Sequence, residues 1–184
     1  SLFRISYRNI EKKYSKTIYP INDNFLAVGN YFISKPETDK KLNILSAGIG
    51  KEISFDLSCL KQFKINKLIM IDPTEVAYKT TLGVTNASTI FFIKKGLFKE
   101  TKTIKAYLPH ESIENNSNLS IENLYSSTNF TYIDTTTVSE IFNDFSLNYI
   151  DILKLDVEGV ADDIILDMIN KNIFPKQICF ELEK

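Results

Sequence analysis

From Leu42 onward, short apolar runs alternate with stretches in which apolar residues recur every three or four positions. Apolar runs of four to eight residues between turn signals read as buried strands, and the three-or-four spacing reads as helices. Asn43 to Ala47 is the first such strand; Gly48-Ile49-Gly50 breaks it, and Ile53, Leu57 and Leu60 continue at helical spacing. Lys67 to Ile71 is a second strand that stops at Asp72-Pro73, giving a strand, helix, parallel strand unit with a right-handed crossover. Glu75 to Leu82 reads as a second helix and Thr89 to Ile93 as a third strand. Gly96 to Phe98 and Thr103 to Leu108, joined by a polar turn from Lys99 to Lys102, read as an antiparallel hairpin inserted after it. Ser112 to Asn129 is rich in Asn and Ser and reads as a long mobile loop. A short strand at Thr131 to Ile133, a helix at Thr137 to Phe145, a strand at Ile150 to Asp156, a helix at Val160 to Asn172 and a strand at Gln177 to Leu182 follow. This order predicts an α/β fold, a mostly parallel sheet with helices on both faces.

The first forty residues differ. Phe3, Tyr7, Ile10 and Tyr14 fall on one face of a predicted amphipathic helix. Phe25 to Val28 and Tyr31 to Ser34 flank Gly29-Asn30, a two-residue hairpin turn, and Pro36 to Lys41 is a polar linker. We therefore expect an extension over 1–41 and a main domain over 42–184, within the size of one domain.

Composition narrows the function classes. With 22 basic and 23 acidic side chains and a net charge of −1, there is no cationic surplus to hold nucleic-acid phosphates. Cys59 and Cys179 each lie in an apolar run, which points to buried free thiols and to no disulfide framework or zinc site. No stretch near the N-terminus reaches the roughly 20 apolar residues of a spanning helix, and the early charges from Arg4 to Lys13 do not fit a signal core, so a cytoplasmic protein is expected. Asn-x-Ser/Thr triplets at Asn86, Asn115, Asn118 and Asn129 follow from the richness in these residues.

In an open parallel sheet, ligands bind beyond the carboxyl ends of the strands. Those ends carry Gly48 and Gly50, Asp72, Lys95-Gly96, Asp156 and Glu158, and Glu181 and Glu183. Gly48-Ile49-Gly50 lets the backbone approach a ligand at a helix start, and Asp72, about 20 residues on, is placed to accept from ribose hydroxyls. The pair fits a nicotinamide dinucleotide or S-adenosylmethionine. A dinucleotide fingerprint wants a third glycine where this chain has Ile53, and Glu52 would repel a pyrophosphate; a cationic sulfonium tolerates that acid. Strand period 2 places Lys154 and Asp156 on one face, where they can pair. Asp162 and Asp163 read as first-turn acids that complement a helix N-terminus.

Ile44 to Asp56, Ile71-Asp72-Pro73-Thr74, Tyr149 to Gly159 and Phe180-Glu181 resemble, in order, the motifs of the FkbM-type S-adenosylmethionine-dependent methyltransferases. The resemblance spans about Leu42 to Lys184. It implies a Rossmann-like class I methyltransferase fold whose glycine loop holds the methionine part of the cofactor and whose Asp72 holds the ribose. Ser46, Pro73 and Gly96, at the ends of the same strands, complete the expected cofactor-binding set. Lys154, Asp156 and Glu158 would face the methyl-transfer centre, with Glu181 beside them. Family members are commonly O-methyltransferases of sugars, polyketides and similar metabolites. The chain departs from the pattern at Ala47, Ala161 and Glu183, the last where the family often has His; the single histidine, His110, reads as a solvated loop residue.

The expected activity is therefore O-methylation of a hydroxyl on a sugar, glycan or related small molecule. Asp156 is the first candidate to contact or deprotonate it, Glu158 and Glu181 come second, and Lys154 keeps the nearest carboxylate ionised. No metal is expected, although Asp156, Glu158 and Glu181 are of the hard-oxygen type that could hold one. A nicotinamide oxidoreductase and a catalytically silent cofactor-binding module are the alternatives. The sheet is expected to lack the further strand pair that the family normally adds after its fifth strand.

Overall fold

A computed structural model describes residues 4–7, 24–37, 39–85, 87–109, 119–123 and 126–180. Six strands form one sheet: β1 (Arg4–Tyr7), β4 (Leu42–Ala47), β5 (Ile65–Ile71), β6 (Ile90–Ile93), β10 (Ile152–Leu155) and β11 (Gln177–Phe180). All neighbours run parallel, in the order β1-β11-β10-β4-β5-β6. Taken without β1, the chain order across the sheet is 3-2-1-4-5, the Rossmann-like arrangement, and it reverses between β4 and β10. The helices are α1 (Ser54–Gln62), α2 (Glu75–Thr81), α3 (Val138–Asp144) and α4 (Ala161–Asn170).

Strand period 2 divides the core. Leu45, Ala47, Ile69, Ile71, Leu153 and Leu155 pack on one side against Val138 and Ile141 of α3 and Ile164 and Met168 of α4. Ile44, Leu68, Met70, Ile152 and Cys179 pack on the other against Phe55 and Cys59 of α1 and the hairpin residues Val28, Tyr31 and Ile33. That hairpin pairs β2 (Phe25–Val28) with β3 (Tyr31–Ser34) across Gly29-Asn30, as the turn signal predicts. Each fully buried Leu, Ile or Phe contributes about 1.5–3 kcal/mol, so the helices are held by these apolar faces. Two helix starts are also capped: Thr74 Oγ1 accepts from Ala77 N at 3.2 Å and Thr137 Oγ1 from Glu140 N at 3.1 Å.

Two expectations are corrected. Arg4–Tyr7 is a strand, paired in register with Gln177–Phe180, where helical spacing predicts a helix; Phe3, Ile10 and Tyr14 lie outside the described residues. The exposed edge of β11 offers a full row of backbone partners, which outweighs the local periodicity of a short helix. The second correction concerns the hairpin. Segments β7 (Gly96–Leu97) and β8 (Thr103–Tyr107) exist, but both pair with β9 (Phe130–Thr136), β7 parallel and β8 antiparallel. Strand β9 is longer than predicted because its β-branched and aromatic run extends through Thr135, whose Oγ1 donates to the carbonyls of Glu100 (2.7 Å) and Lys102 (2.8 Å). It occupies the place between β7 and β8 that a hairpin would close. Ser120 forms a two-bond bridge with Tyr107, so part of the predicted mobile loop is built onto this small sheet.

Candidate active site at the carboxyl edge of the sheet

The carboxyl ends of β4, β5 and β10 surround a cavity of about 360 Å³, at the point where strand order reverses. Gly48, Gly50, Asp72, Pro73, Gly96, Asp156 and Glu158 all line it, as strand-end reasoning places them. Ser46 and Lys154 do not; they lie directly behind it. Glu181 falls outside the described residues.

Gly48 is fixed by packing. Its φ is +75°, and a Cβ there would sit 1.8 Å from the carbonyl oxygen of Asp156. The backbone after β4 crosses the backbone after β10 with no space for a side chain. Gly50 is also left-handed, at φ +53°. Successive backbone N–H groups in such a turn point into one concavity that binds anions. Here the anion is Asp72: its Oδ2 accepts from Ile49 N at 2.9 Å and Gly50 N at 3.0 Å. Its Oδ1 accepts from Thr74 N at 2.8 Å and Thr74 Oγ1 at 2.5 Å. Asp72 is 4% exposed, and four donors match the roughly four lone-pair sites of a carboxylate. Asp72, expected from sequence to meet ribose hydroxyls, here braces the glycine loop and the start of α2.

Lys154 lies on the α1 side of the sheet and is 2% exposed. Its Nζ donates to Gly48 O at 2.7 Å and to Ala47 O at 3.4 Å, and lies 3.5 Å from Asp156 Oδ2. The predicted pairing of Lys154 with Asp156 is present, and the lysine also grips the glycine loop from behind. Ser46 is its register neighbour on β4 and is fully buried.

The remaining lining comes from residues that strand-end reasoning does not reach. Leu97 of β7, Ala106 of β8, Ile133 of β9, Leu119 and Ile121 give the cavity an apolar part of its lining. Leu119-x-Ile121 alternates as a strand would, a short signal hidden in an Asn- and Ser-rich stretch. The segment is seated on the turn at Gly159, where a Cβ would meet Glu122 Cγ at 3.3 Å and Ser120 Oγ at 3.5 Å.

Asp56 is the other functional candidate missed from sequence. The last residue of the Ile44 to Asp56 motif, with no role assigned to it from sequence, it is 1% exposed on the inner face of α1. Burial pushes its carboxyl up from the usual 3.8, with the Lys154 charge and the Ser46 hydroxyl acting in the opposite direction. A carboxyl raised in the folded state keeps its proton where the unfolded chain has lost it, so stability falls as pH rises above about 3.8. Asp56→Asn removes that penalty: its melting temperature relative to the parent protein should increase as pH rises above about 4, and a pH-independent difference in thermal melts would contradict this. Cys59 and Cys179 are buried free thiols, and burial pushes the Cys179 thiol up to about 12.

Among the described residues no three His, Cys, Asp or Glu side chains are grouped to hold a metal ion, and no helix is long and apolar enough to cross a membrane. No protein-family model and no curated protein matches the sequence. Among solved structures, the methyltransferase FkbM from Methylobacillus flagellatus aligns with 71% of this chain and 29% of its own at 14% identity and a TM-score of 0.46. The chain thus spans under a third of that neighbour's length.

Proposed function

We propose that the cavity binds S-adenosylmethionine and that the protein transfers its methyl group to a hydroxyl of a sugar, glycan or related metabolite. The observation that carries this reading is the Asp72 carboxylate seated on the N–H groups of Ile49 and Gly50. A dinucleotide places its pyrophosphate at this loop, and that anion would meet a carboxylate where it needs donors. A cofactor with a nucleoside, a sulfonium and no phosphate avoids the conflict. The charged lining suits it too: among the described residues, Glu52, Asp72, Asp156 and Glu158 stand against Lys51. A cavity of about 360 Å³ lies within the range of small-ligand sites.

In this reading residues 42–184 are the catalytic domain, and 1–41 an extension of it. Gly48, Gly50 and Pro73 shape the loop side of the cavity and Gly96 its far side. A ribose hydroxyl would reach Asp72 by exchanging with one of its present donors. The cofactor supplies an electrophilic methyl group for in-line displacement. The chain's own task is to align the acceptor and take its proton. Asp156 does this, being at the cavity wall and held by Lys154, with Glu158 next to it. Glu181 is proposed as a further contact at the end of β11.

Calorimetric titration tests the cofactor: S-adenosylhomocysteine should bind and NAD should not, and the reverse would overturn the reading. A methyl-transfer screen over nucleotide sugars and glycans, read by mass spectrometry, identifies the acceptor class. With an acceptor in hand, Asp156→Asn should leave S-adenosylhomocysteine affinity within about threefold and lower turnover by about 10²–10⁴. Normal turnover in that variant would remove Asp156 from the role of base.

A further inference from the structure

A second cavity, of about 440 Å³, lies at the opposite, amino edge of the sheet. Leu42 opens β4 there, and the six steps from Leu42 to Gly48, at about 3.3 Å each, set it about 20 Å from the glycine loop. Its walls are the end of α1 and the segment that follows β3. Hydrogen bonds fix these walls to their neighbours: Gln62 Nε2 donates to Ala27 O at 3.1 Å, Lys35 N to Asn24 O at 2.9 Å and Leu42 N to Lys64 O at 2.8 Å. Leu26, Leu42 and Phe63 supply an apolar part of the lining.

The charged lining is Lys35, Lys40, Lys61 and Lys64 against Glu37, in a chain whose 22 basic and 23 acidic side chains balance. Glu37 is already engaged, 2.5 Å from Lys40 Nζ. Asp39 comes only within 3.9 Å of Lys64 with 98% of its side chain in solvent, a pairing that contributes little. Lys35 and Lys61 have no carboxylate partner among the described residues. Attraction to the carboxyl end of α1 accounts for Lys61 and Lys64. It does not account for Lys35 and Lys40, which the segment after β3 brings to the same space against the repulsion of like charges. A concave surface lined by one sign of charge focuses its field and concentrates counter-ions.

We propose that this cavity is a second ligand site, for a small molecule that joins a phosphate group of two or more charges to an apolar or aromatic body, as a nucleoside diphosphate does. The lysines meet the phosphates as point charges, and the apolar part of the lining takes the body. Phosphate alone would leave Leu26, Leu42 and Phe63 uncovered, and a neutral ring would leave the ammonium groups without counter-charge. The cavity at the carboxyl edge has the opposite balance, Glu52, Asp72, Asp156 and Glu158 against Lys51, so one ligand does not suit both. The proposal stands apart from the methyl-transfer reading, which concerns that other edge.

Calorimetric titration of the full chain with ADP, inorganic pyrophosphate and adenosine, at an ionic strength of about 0.02 M, tests it. ADP should bind, and each fragment should bind about tenfold more weakly or worse. At about 0.15 M salt the Debye length shrinks to about 8 Å, and ADP affinity should fall. Lys35→Gln combined with Lys61→Gln alters two exposed side chains with no ion pair to lose, so the melting temperature should stay within about 2 °C of the parent. The same double variant should bind ADP about tenfold more weakly. Should it not fold, each single variant is read in its place. Absence of ADP binding, pyrophosphate binding as tight as ADP, or undiminished ADP affinity in the lysine variant overturns the proposal. Displacement of ADP by S-adenosylhomocysteine also overturns it, since ADP would then occupy the other cavity. Failure of S-adenosylhomocysteine to bind at all would overturn the functional reading alone, because the lysine variant still locates ADP.

Discussion

Gly48→Ala is expected to be the most damaging single substitution in the chain. The new Cβ would lie 1.8 Å from the carbonyl oxygen and 2.5 Å from the carbonyl carbon of Asp156, both backbone atoms that cannot swing aside. The left-handed φ of +75° adds about 1–2 kcal/mol for any residue with a Cβ. Relief requires β4 and β10 to separate at the cavity, where Asp156 N donates to Ala47 O at 3.0 Å. We expect a loss above about 4 kcal/mol, against a total stability of about 5–15 kcal/mol for a typical domain. At about 2–4 °C per kcal/mol, thermal melts should then shift down by about 8–16 °C. A shift below about 2 °C would mean that the two crossing backbones are much farther apart than described.

The second large effect is expected at Asp72, and it separates loop bracing from ligand contact. Asp72→Ala removes the acceptor of four donors, two on the glycine loop and two on Thr74. A buried donor left unsatisfied costs about 1–3 kcal/mol, and water entering from the cavity offsets part of this, so a net loss of about 3 kcal/mol is expected. Affinity for S-adenosylhomocysteine should fall by more than tenfold, as the loop loses the group that shapes it (about 1.4 kcal/mol per decade). Asp72→Asn should be intermediate in stability, because an amide offers one acceptor oxygen and turns its two donors toward others. If Asp72→Ala loses affinity with no change in melting temperature, the residue is a ligand contact alone and the bracing account is wrong.

The degree to which the sequence foretells this protein varies from element to element. The runs Asn43 to Ala47 and Lys67 to Ile71 are strands because a buried parallel strand is apolar on both faces, a property visible without knowing its neighbours. Gly48, Gly50, Asp72, Asp156 and Glu158 were legible as one edge because strand ends and ligand sites coincide in such sheets. Arg4–Tyr7 was misread because its outcome depends on an open edge of β11, about 170 residues away in sequence. The supposed hairpin failed for the same kind of reason: β8 and β7 each found a longer partner in β9. Asp56 carries no signal of burial in its local sequence, and only the packing of α1 against the sheet buries it.

The sequence by itself therefore determined which segments are strands and helices over the main domain, and that the glycine turn and the acids stand at strand ends. Hydrophobic period and turn residues are local properties, readable a few residues at a time. Only the tertiary structure decided the order of the strands, the apolar part of the cavity lining given by Leu119, Ile121 and the small sheet, and the partner of each charge. Asp72 could face a ribose or a loop, and Lys154 a carboxyl alone or the glycine loop as well, in any chain with this spacing. Which of these holds depends on what lies across 3 Å of space from groups far apart in sequence, and that is fixed by packing.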